Sequence, residues 1–384
     1  MPRPPKSSSA VAAVGSSVFS PVADRLAQHE GPVFPLHVGD TWMEPLPAAR
    51  MEALSVAEHP GMHRYCATAG IPELRDALLP KLRERNRLDV ESDGLVVTGG
   101  ATAGLAACVS AVADPGEEVL ILAPFWPLIR GIVHAQRAAP VEVPFYDRVA
   151  SADEAVAAIA DRLTESTVAL YVSTPSNPTG RVLAAPWLEA IAELARRHDL
   201  WLLSDEVYED YVYRGEHVSV GRFAPERTLS VFSFSKSHGM AGNRVGYVAG
   251  PPEIVQEVHK VSMHTSYHAP TAAQIAAEVA LREGGDWVAA ARESHRGASE
   301  ETARLLGLEP PEGSMFLFVD VSDRLDERGL LGFLEDCVDE GVTVAPGSSC
   351  GEAYANWVRL TYTCVPPAAA AEGARRLARV LGRA

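Results

Sequence analysis

The chain has 384 residues, which is long for one compact domain, so we expect two domains. Hydrophobic residues make up 47% of the sequence and the mean hydropathy is near zero, which is typical of a globular protein with a substantial core. The formal net charge of −16 argues against a nucleic acid or an anionic membrane as partner, because both attract basic surfaces.

The cysteines indicate a reducing compartment. They are scattered, odd in number and without metal-ligand spacing, so we interpret them as free thiols: Cys66, Cys108, Cys337, Cys350 and Cys364. The first residues lack the apolar run of a signal peptide, and no segment reaches the roughly 20 apolar residues that span a membrane. A cytoplasmic location is therefore predicted.

The pattern along the chain predicts an α/β architecture. Residues 1–20, rich in Pro, Ser and Ala, are predicted to be flexible, and residues 21–47 to pack on a small C-terminal domain. From about residue 70, helical patterns alternate with short apolar runs, which favours a large domain (48–275) with a mostly parallel central sheet flanked by helices. Residues 276–384 predict a smaller α/β domain. Predicted strands are 95–98, 118–122, 168–173, 200–204, 228–233, 315–321, 342–346 and 357–363; predicted helices are 71–86, 102–113, 185–198, 272–305 and 328–340.

A glycine-rich turn follows the first predicted strand. In VVTGGATAGL (96–105), the free backbone N–H groups of Gly100, Ala101 and Thr102 at a helix start suit a phosphate. A tight turn without a ligand remains the alternative interpretation.

The most informative stretch is SVFSFSKSHGMAGNRVGY (230–247). Lys236 lies just past a buried strand, where loss of solvent makes a lysine a competent nucleophile for a carbonyl. Ser233 and Arg244 supply a donor and a charge for a phosphate. A solvated surface lysine is the alternative, but the flanking residues are small and polar, which favours a site.

Three further residues follow predicted strands, where ligands bind in open α/β sheets. Burying the Asp205 carboxylate costs free energy unless a cation or a hydrogen-bond donor pairs with it, and a protonated ring nitrogen would be a suitable partner. The alternative interpretation is that Asp205 caps the N-terminus of a helix. Asn177, between Pro175 and Pro178, is either presented by a rigid turn or part of an ordinary surface turn. Trp126 either stacks on a flat ring or packs in the core.

Together these segments resemble the fold type I, pyridoxal 5'-phosphate (PLP)-dependent aminotransferases of class I/II (aspartate aminotransferase-like superfamily), from about residue 35 to 380. The resemblance includes the turns described above, the DEVY strand end (205–208), PLHVGDTWMEP (35–45), HRYCATAGIPELRDAL (63–78) and the C-terminal APGSSCG…WVRLTYT (345–363). It implies a PLP enzyme moving an amino group from an L-amino acid to a 2-oxo acid, through a Schiff base on Lys236 and a pyridoxamine phosphate intermediate.

The resemblance also implies roles at the cofactor. Lys236 would carry the cofactor and shuttle the proton, and Asp205 would keep the pyridine nitrogen protonated. Tyr208 and Asn177 would hydrogen-bond the ring 3'-oxygen, and Trp126 would stack on the ring. The expected phosphate ligands are Gly100, Ala101, Thr102, Ser233 and Arg244.

Substrate and subunit roles are implied in the same way. Arg359, with Gly39 and Asn177, would clamp the substrate α-carboxylate, for which a bidentate guanidinium is well suited. Tyr65 would reach the phosphate of a neighbouring subunit, so the expected active unit is a homodimer.

Two segments depart from the commonest family pattern near the expected substrate pocket. Residues 39–42 read Gly-Asp-Thr-Trp, and Cys350 stands where many relatives carry an aromatic residue. Segment 32–48 contains no Arg or Lys, which disfavours a dicarboxylate donor unless Arg130 or the partner subunit provides a cation.

Other reactions remain open on the same scaffold. A PLP-dependent lyase, cyclase or other Cα-carbanion enzyme would use the same site residues, so the sequence separates these from an aminotransferase poorly. A transcription regulator with an aminotransferase-like domain would need a DNA-binding module, and fewer than about 40 residues precede the matched region of this acidic chain.

Overall fold

The computed structural model describes residues 5–15 and 22–383. Part of the N-terminus that is predicted to be flexible, residues 1–4 and 16–20, lies outside the described residues. Within residues 5–15 the chain forms a one-turn helix, α1 (Ser9–Ala12).

The large domain is built on a seven-stranded sheet with the strand order β1-β7-β6-β5-β4-β2-β3. All neighbouring strands are parallel except β7, which is antiparallel to both β1 and β6. The strands are β1 (Leu95–Thr98), β2 (Glu118–Ala123), β3 (Ala139–Pro144), β4 (Thr167–Ser173), β5 (Trp201–Asp205), β6 (Thr228–Ser233) and β7 (Gly246–Ala249).

Helices cover both faces of this sheet, as alternating side chains in the strands require. In β2, Val119 and Ile121 belong to one apolar cluster, whereas Leu120 and Leu122 belong to the cluster on the opposite face. The helices of this part of the chain are α3 (Pro72–Lys81), α4 (Ala101–Val112), α5 (Pro127–Ala135), α6 (Ala152–Ala160), α7 (Ala185–Arg197), α8 (Phe234–Ser237), α9 (Pro252–Thr265) and α10 (Thr271–Glu283).

The small domain has its own antiparallel sheet, of order β8-β10-β9. Its strands are β8 (Phe316–Asp320), β9 (Ala345–Pro346) and β10 (Trp357–Thr361), and its helices are α11 (Gly285–Leu306), α12 (Gly329–Asp339) and α13 (Pro367–Val380).

The N-terminal segment lies against this small domain. Helix α2 (Ala23–Gln28) reaches α12 through Arg25, which donates a 2.7 Å hydrogen bond to Asp339. Leu36 is fully buried in the small-domain core, and its carbonyl accepts a 2.7 Å hydrogen bond from the backbone N–H of Thr361.

The predicted mostly parallel sheet and the smaller C-terminal α/β domain are confirmed, with local differences. Strands β3 and β7 were not predicted: β3 is a half-exposed edge strand that contains prolines, and β7 has only four residues. The helical region 272–305 is two helices, because the chain breaks at Gly284. Among the described residues, no helix combines the length and the apolar character that crossing a membrane requires.

Candidate active site

A cavity of about 240 Å³ lies at the carboxyl ends of β4, β5 and β6, beside the glycine-rich turn after β1 and under Arg359 of β10. Most of the predicted site residues line it: Gly39, Ala101, Thr102, Trp126, Asn177, Asp205, Tyr208, Ser233, Lys236, Arg244 and Arg359. Sequence reasoning missed other lining residues, which are small or apolar and carry no chemical signal: Leu105, Val207, Ser235, Ala241 and Phe316.

At one end of the cavity, which we call the anion cradle, the guanidinium of Arg244 lies beside the start of α4, an arrangement that suits an anion. Gly100 has a φ of +83°, and a side chain at this position would collide with the guanidinium of Arg244. Arg244 is fixed by a 2.8 Å hydrogen bond to the carbonyl of Ala241 and a 3.3 Å bond to that of Gly99. The guanidinium therefore lies beside the first turn of α4, where backbone N–H groups have no partner within the helix.

Lys236 lies on the short helix that follows β6. The Ser233 hydroxyl caps this turn by accepting a 3.1 Å hydrogen bond from the Ser235 N–H, and the Tyr211 hydroxyl donates at 2.7 Å to the Lys236 carbonyl. The ε-nitrogen of Lys236 donates to the carbonyl of Gly39 and lies 3.8 Å from a carboxylate oxygen of Asp40.

Burial makes this lysine a better nucleophile. Loss of solvent lowers the pKa of Lys236, and the positive charges of Arg244 and Arg359 lower it further, while the Asp40 carboxylate opposes the shift. A larger fraction of the amine is therefore neutral near neutral pH, and the neutral form is the one that attacks a carbonyl carbon.

Asp205 ends β5 and is 4% exposed. Its hydrogen bonds come from neutral donors: the Tyr171 hydroxyl at 2.6 Å and the Val207 N–H at 3.4 Å. Burial raises the pKa of Asp205 to about 6, against the effect of the Tyr171 hydrogen bond. A buried carboxyl group of this kind is stabilised in its charged form by a cation that enters the cavity, such as a protonated ring nitrogen.

Three acidic residues that follow Asp205 hold this loop in place, because each pairs with a basic residue from elsewhere in the chain. The partners are His217 for Glu206 (2.8 Å), Lys81 for Glu209 (2.5 Å) and Arg85 for Asp210. Lys81 and Arg85 come from α3 and the turn after it, more than a hundred residues away, so no local pattern in the sequence could reveal them.

Arg359 enters the cavity from the small domain. It is 8% exposed, and its guanidinium lies 4.5 Å from the centre of the Phe316 ring. It donates 3.1 Å hydrogen bonds to the side-chain oxygen of Asn177 and to the carbonyl of His37. Its Nε is buried and has no hydrogen-bond partner in the described part of the chain, so it is free to donate to an anionic ligand.

Two neutral polar groups meet beside Arg359. The Asn177 amide donates a 3.4 Å hydrogen bond to the Tyr208 hydroxyl, and Tyr208 is 4% exposed. Burial raises the pKa of Tyr208, so the hydroxyl keeps its proton and can donate. Trp126 precedes α5 and lines the same cavity, half buried against the core of the sheet.

Tyr65 is outside the cavity of its own chain. It is 83% exposed and lies edge-on to Tyr267, with ring centres 5.0 Å apart. A single chain does not bring it to the other predicted site residues.

The comparisons with known proteins agree with this geometry. The family described as "Aminotransferase class I and II" matches residues 32–377. The chain is 37% identical over 354 residues to the aspartate/prephenate aminotransferase of Thermus thermophilus, covering 87% of each chain. It is 36% identical over 321 residues to the aspartate aminotransferase of Pyrococcus abyssi, covering 79% of this chain and 80% of the relative.

Solved structures of aminotransferases are also similar to this chain. The T. thermophilus aspartate aminotransferase with maleate superimposes with a TM-score of 0.88 at 32% identity, covering 98% of this chain and 100% of that one. The N-succinyldiaminopimelate aminotransferase of Mycobacterium tuberculosis does so with a TM-score of 0.87 at 28% identity, with the same coverage. The chain therefore belongs to the class I and II aminotransferases and is a PLP-dependent transferase of amino groups.

Proposed function

We propose that the cavity under Arg359 holds PLP through Lys236, Asp205 and the anion cradle, and that the enzyme transfers the amino group of a neutral L-amino acid to a 2-oxo acid. The observation that carries the proposal is the convergence of a buried lysine, a buried carboxyl group with neutral donors, and a guanidinium beside a helix start in one cavity. Each of these groups fits one part of PLP: the aldehyde, the ring nitrogen and the phosphate.

When bound, PLP supplies an electron sink for the bonds at the substrate Cα. Lys236 would hold the cofactor through its ε-nitrogen and, as a free amine, would move the proton taken from Cα. The Asp205 carboxylate would favour a protonated ring nitrogen. The Tyr208 hydroxyl and the Asn177 amide would donate to the ring oxygen, and the side chain of Trp126 would pack against the ring.

Arg359 orients the substrate. Its free Nε and one terminal nitrogen can donate to the two oxygens of an α-carboxylate, which is the planar pairing that guanidinium groups favour. Fixing the carboxylate would also restrict which Cα bond is presented to the cofactor for cleavage.

The charges in the cavity favour a donor without a second carboxylate. Among the lining residues that the structure describes, the cations are Lys236, Arg244 and Arg359, and each already has a role. Arg130 is paired with Glu142 at 3.0 Å and does not line this cavity. The carboxylate of Asp40, near Lys236, further disfavours an acidic side chain.

Substitution of Arg359 tests the carboxylate clamp. We expect Arg359→Ala to raise KM for every amino-acid donor by about 10- to 100-fold, since a charge-assisted hydrogen bond contributes about 1.5–3 kcal/mol. Steady-state kinetics with aspartate, alanine and phenylalanine as donors measures this, and the wild type should show a lower kcat/KM for aspartate than for the neutral donors.

Arg359→Lys is the control for charge alone, because an ammonium cannot form the bidentate pair and should recover only part of the loss. If Arg359→Ala left KM unchanged for all three donors, the assignment of the clamp would be wrong. A wild-type preference for aspartate would refute the neutral donor and place a further cation at the site.

We further propose that the active unit is a homodimer in the cytoplasm. Tyr65 and Tyr267 are exposed and form an aromatic cluster with the half-buried His268, and exposed aromatic residues are typical of a surface that another chain covers. The free cysteines support a reducing compartment.

Tyr65→Phe tests whether this cluster belongs to the active unit. If the Tyr65 hydroxyl binds the phosphate held by the other subunit, its loss should weaken PLP binding about 10-fold or more while the dimer persists. The measurements are PLP titration of the cofactor-free protein and sedimentation equilibrium, with Tyr267→Phe as the matched control in the same cluster. A monomeric wild type, or equal affinities in the two variants, would contradict the proposal.

A further inference from the structure

Asp40 brings a carboxylate to the reacting end of the cavity. It belongs to the Gly-Asp-Thr-Trp segment that departs from the commonest family pattern, and its side chain is 40% exposed. One of its oxygens lies 3.8 Å from the ε-nitrogen of Lys236, which also donates to the carbonyl of the preceding residue, Gly39.

The carboxylate is held in this position by its own segment. Its Oδ1 accepts a 2.9 Å hydrogen bond from the N–H of Thr41, which fixes the side-chain rotamer. The Asp40 carbonyl accepts a 2.7 Å hydrogen bond from the Thr363 hydroxyl, and the Trp42 N–H donates at 2.8 Å to the Thr363 carbonyl. Two hydrogen bonds therefore attach the segment to Thr363, which follows β10. Strand β10 itself contains Arg359.

Asp40 provides the negative charge that faces the Lys236 amine. Among the described residues, the charged groups with the largest effects on this amine are Asp40, Arg244 and Arg359, and the two guanidinium groups both disfavour a second positive charge nearby. The Asp40 carboxylate favours the charged form of the amine, and the Gly39 carbonyl supports it as a hydrogen-bond acceptor.

We propose that Asp40 is a positioning residue that, together with the Gly39 carbonyl, holds the ε-ammonium of Lys236 when this nitrogen carries a proton and is not bonded to the cofactor. This inference rests on the proposed role of Lys236 as the cofactor-bearing residue. Once it has taken up a proton, the free lysine would have a defined acceptor pair instead of a free range of rotamers. The pair would hold the proton at a fixed position in the cavity until the lysine gives it up.

The test is the titration of Lys236 in the cofactor-free protein. Labelling with acetic anhydride over a pH series, followed by mass spectrometry of the peptide that contains residue 236, reports the fraction of neutral amine. Asp40→Asn removes the charge but keeps a side-chain oxygen for the Thr41 N–H. The carboxylate stabilises the ammonium, so its loss should lower the titration midpoint, and Lys236 should be labelled about 3- to 10-fold faster at pH values below that midpoint.

Glu44→Gln is the matched control, since it removes the same charge from an exposed position in the same segment and should leave the Lys236 curve unchanged. Asp40→Ser, read by the same labelling, provides a second variant should Asp40→Asn not fold. Superimposable curves for the wild type and the folded Asp40 variant would overturn the proposal, as would an equal shift in Glu44→Gln.

A second experiment distinguishes the role of Lys236 from that of Asp40. Borohydride reduction of wild-type enzyme loaded with PLP should place the cofactor mass on residue 236. Its absence there would refute the role of Lys236 in the proposed function, and with it this inference. If the cofactor mass is found on residue 236 but the Lys236 labelling curve of Asp40→Asn matches that of the wild type, only the role of Asp40 is overturned.

Discussion

Lys236→Ala should abolish transamination, with a loss of at least about 10⁴-fold in kcat. In the proposed mechanism the substitution removes both the amine that would hold the cofactor and the base that would move the Cα proton, and general acid–base catalysis alone accounts for about 10²–10⁴-fold. The measurement is the rate of 2-oxo acid formation, together with the intact mass of the borohydride-reduced protein, which should lack the added cofactor.

Lys236→Arg is the control for this experiment. Arginine keeps a positive charge in the cavity but stays protonated, so it cannot form the covalent link and should be as inactive as alanine. Circular dichroism should show that both variants are folded, because the helical turn that carries Lys236 is stabilised by its backbone and by Ser233. Retention of more than about a tenth of the activity in either variant would contradict the assignment.

Asp205→Asn should lower the rate of catalysis but raise the stability of the cofactor-free protein. Asparagine has nearly the shape of aspartate and can still accept the hydrogen bond of Tyr171, but it cannot hold a proton on the ring nitrogen. We expect kcat to fall by about 10²–10⁴-fold, since a preorganised charge at the reacting group is lost. The same substitution should make the cofactor-free protein more stable at neutral pH.

The sign of the stability change follows from the pKa of Asp205, which burial raises from its usual value of 3.8 to about 6. A raised pKa means that the fold favours the neutral carboxyl, so this contribution is fully present below about pH 3.8 and is lost as the pH rises through about 6. At about 1.4 kcal/mol per pKa unit, the loss is about 3 kcal/mol.

Denaturant unfolding of the cofactor-free proteins at several pH values measures this effect. The stability of Asp205→Asn relative to the wild type should increase between about pH 4 and pH 7, by up to about 3 kcal/mol. Glu142→Gln, which alters a half-buried surface ion pair with Arg130, is a control for the change of a carboxylate to an amide elsewhere in the fold. A constant difference across this range would show that the Asp205 carboxyl is not destabilised by burial.

Three polar residues of the cavity could be placed together from the sequence because each lies at or just after the end of a strand. Parallel strands bring their carboxyl ends to one edge, so Asn177 after β4, Asp205 at the end of β5 and Lys236 after β6 had to be neighbours once the strands were recognised. For the glycine-rich turn the sequence left a turn without a ligand open, and only the structure shows that the φ of Gly100 and its contact with Arg244 exclude a side chain there.

The supporting residues could not be predicted because their contacts are long-range. Tyr171, which donates to Asp205, is one of several buried aromatic residues in the strands, and nothing in its local pattern distinguishes it. Asp40 reaches Lys236 across almost two hundred residues, and only the packing of the N-terminal segment on the small domain brings the two together. Strand β3 was missed because its prolines and half-exposed side chains resemble a loop.

The most direct test of the central claim, amino-group transfer in two separate half-reactions, is a single turnover without acceptor. Enzyme loaded with PLP and mixed with excess L-alanine should release one equivalent of 2-oxo acid per active site and no ammonia, because the cofactor retains the amino group. Subsequent addition of a 2-oxo acid should yield one equivalent of the corresponding amino acid. Continuous release of ammonia and 2-oxo acid without an acceptor would contradict the account and identify an eliminating enzyme on the same scaffold.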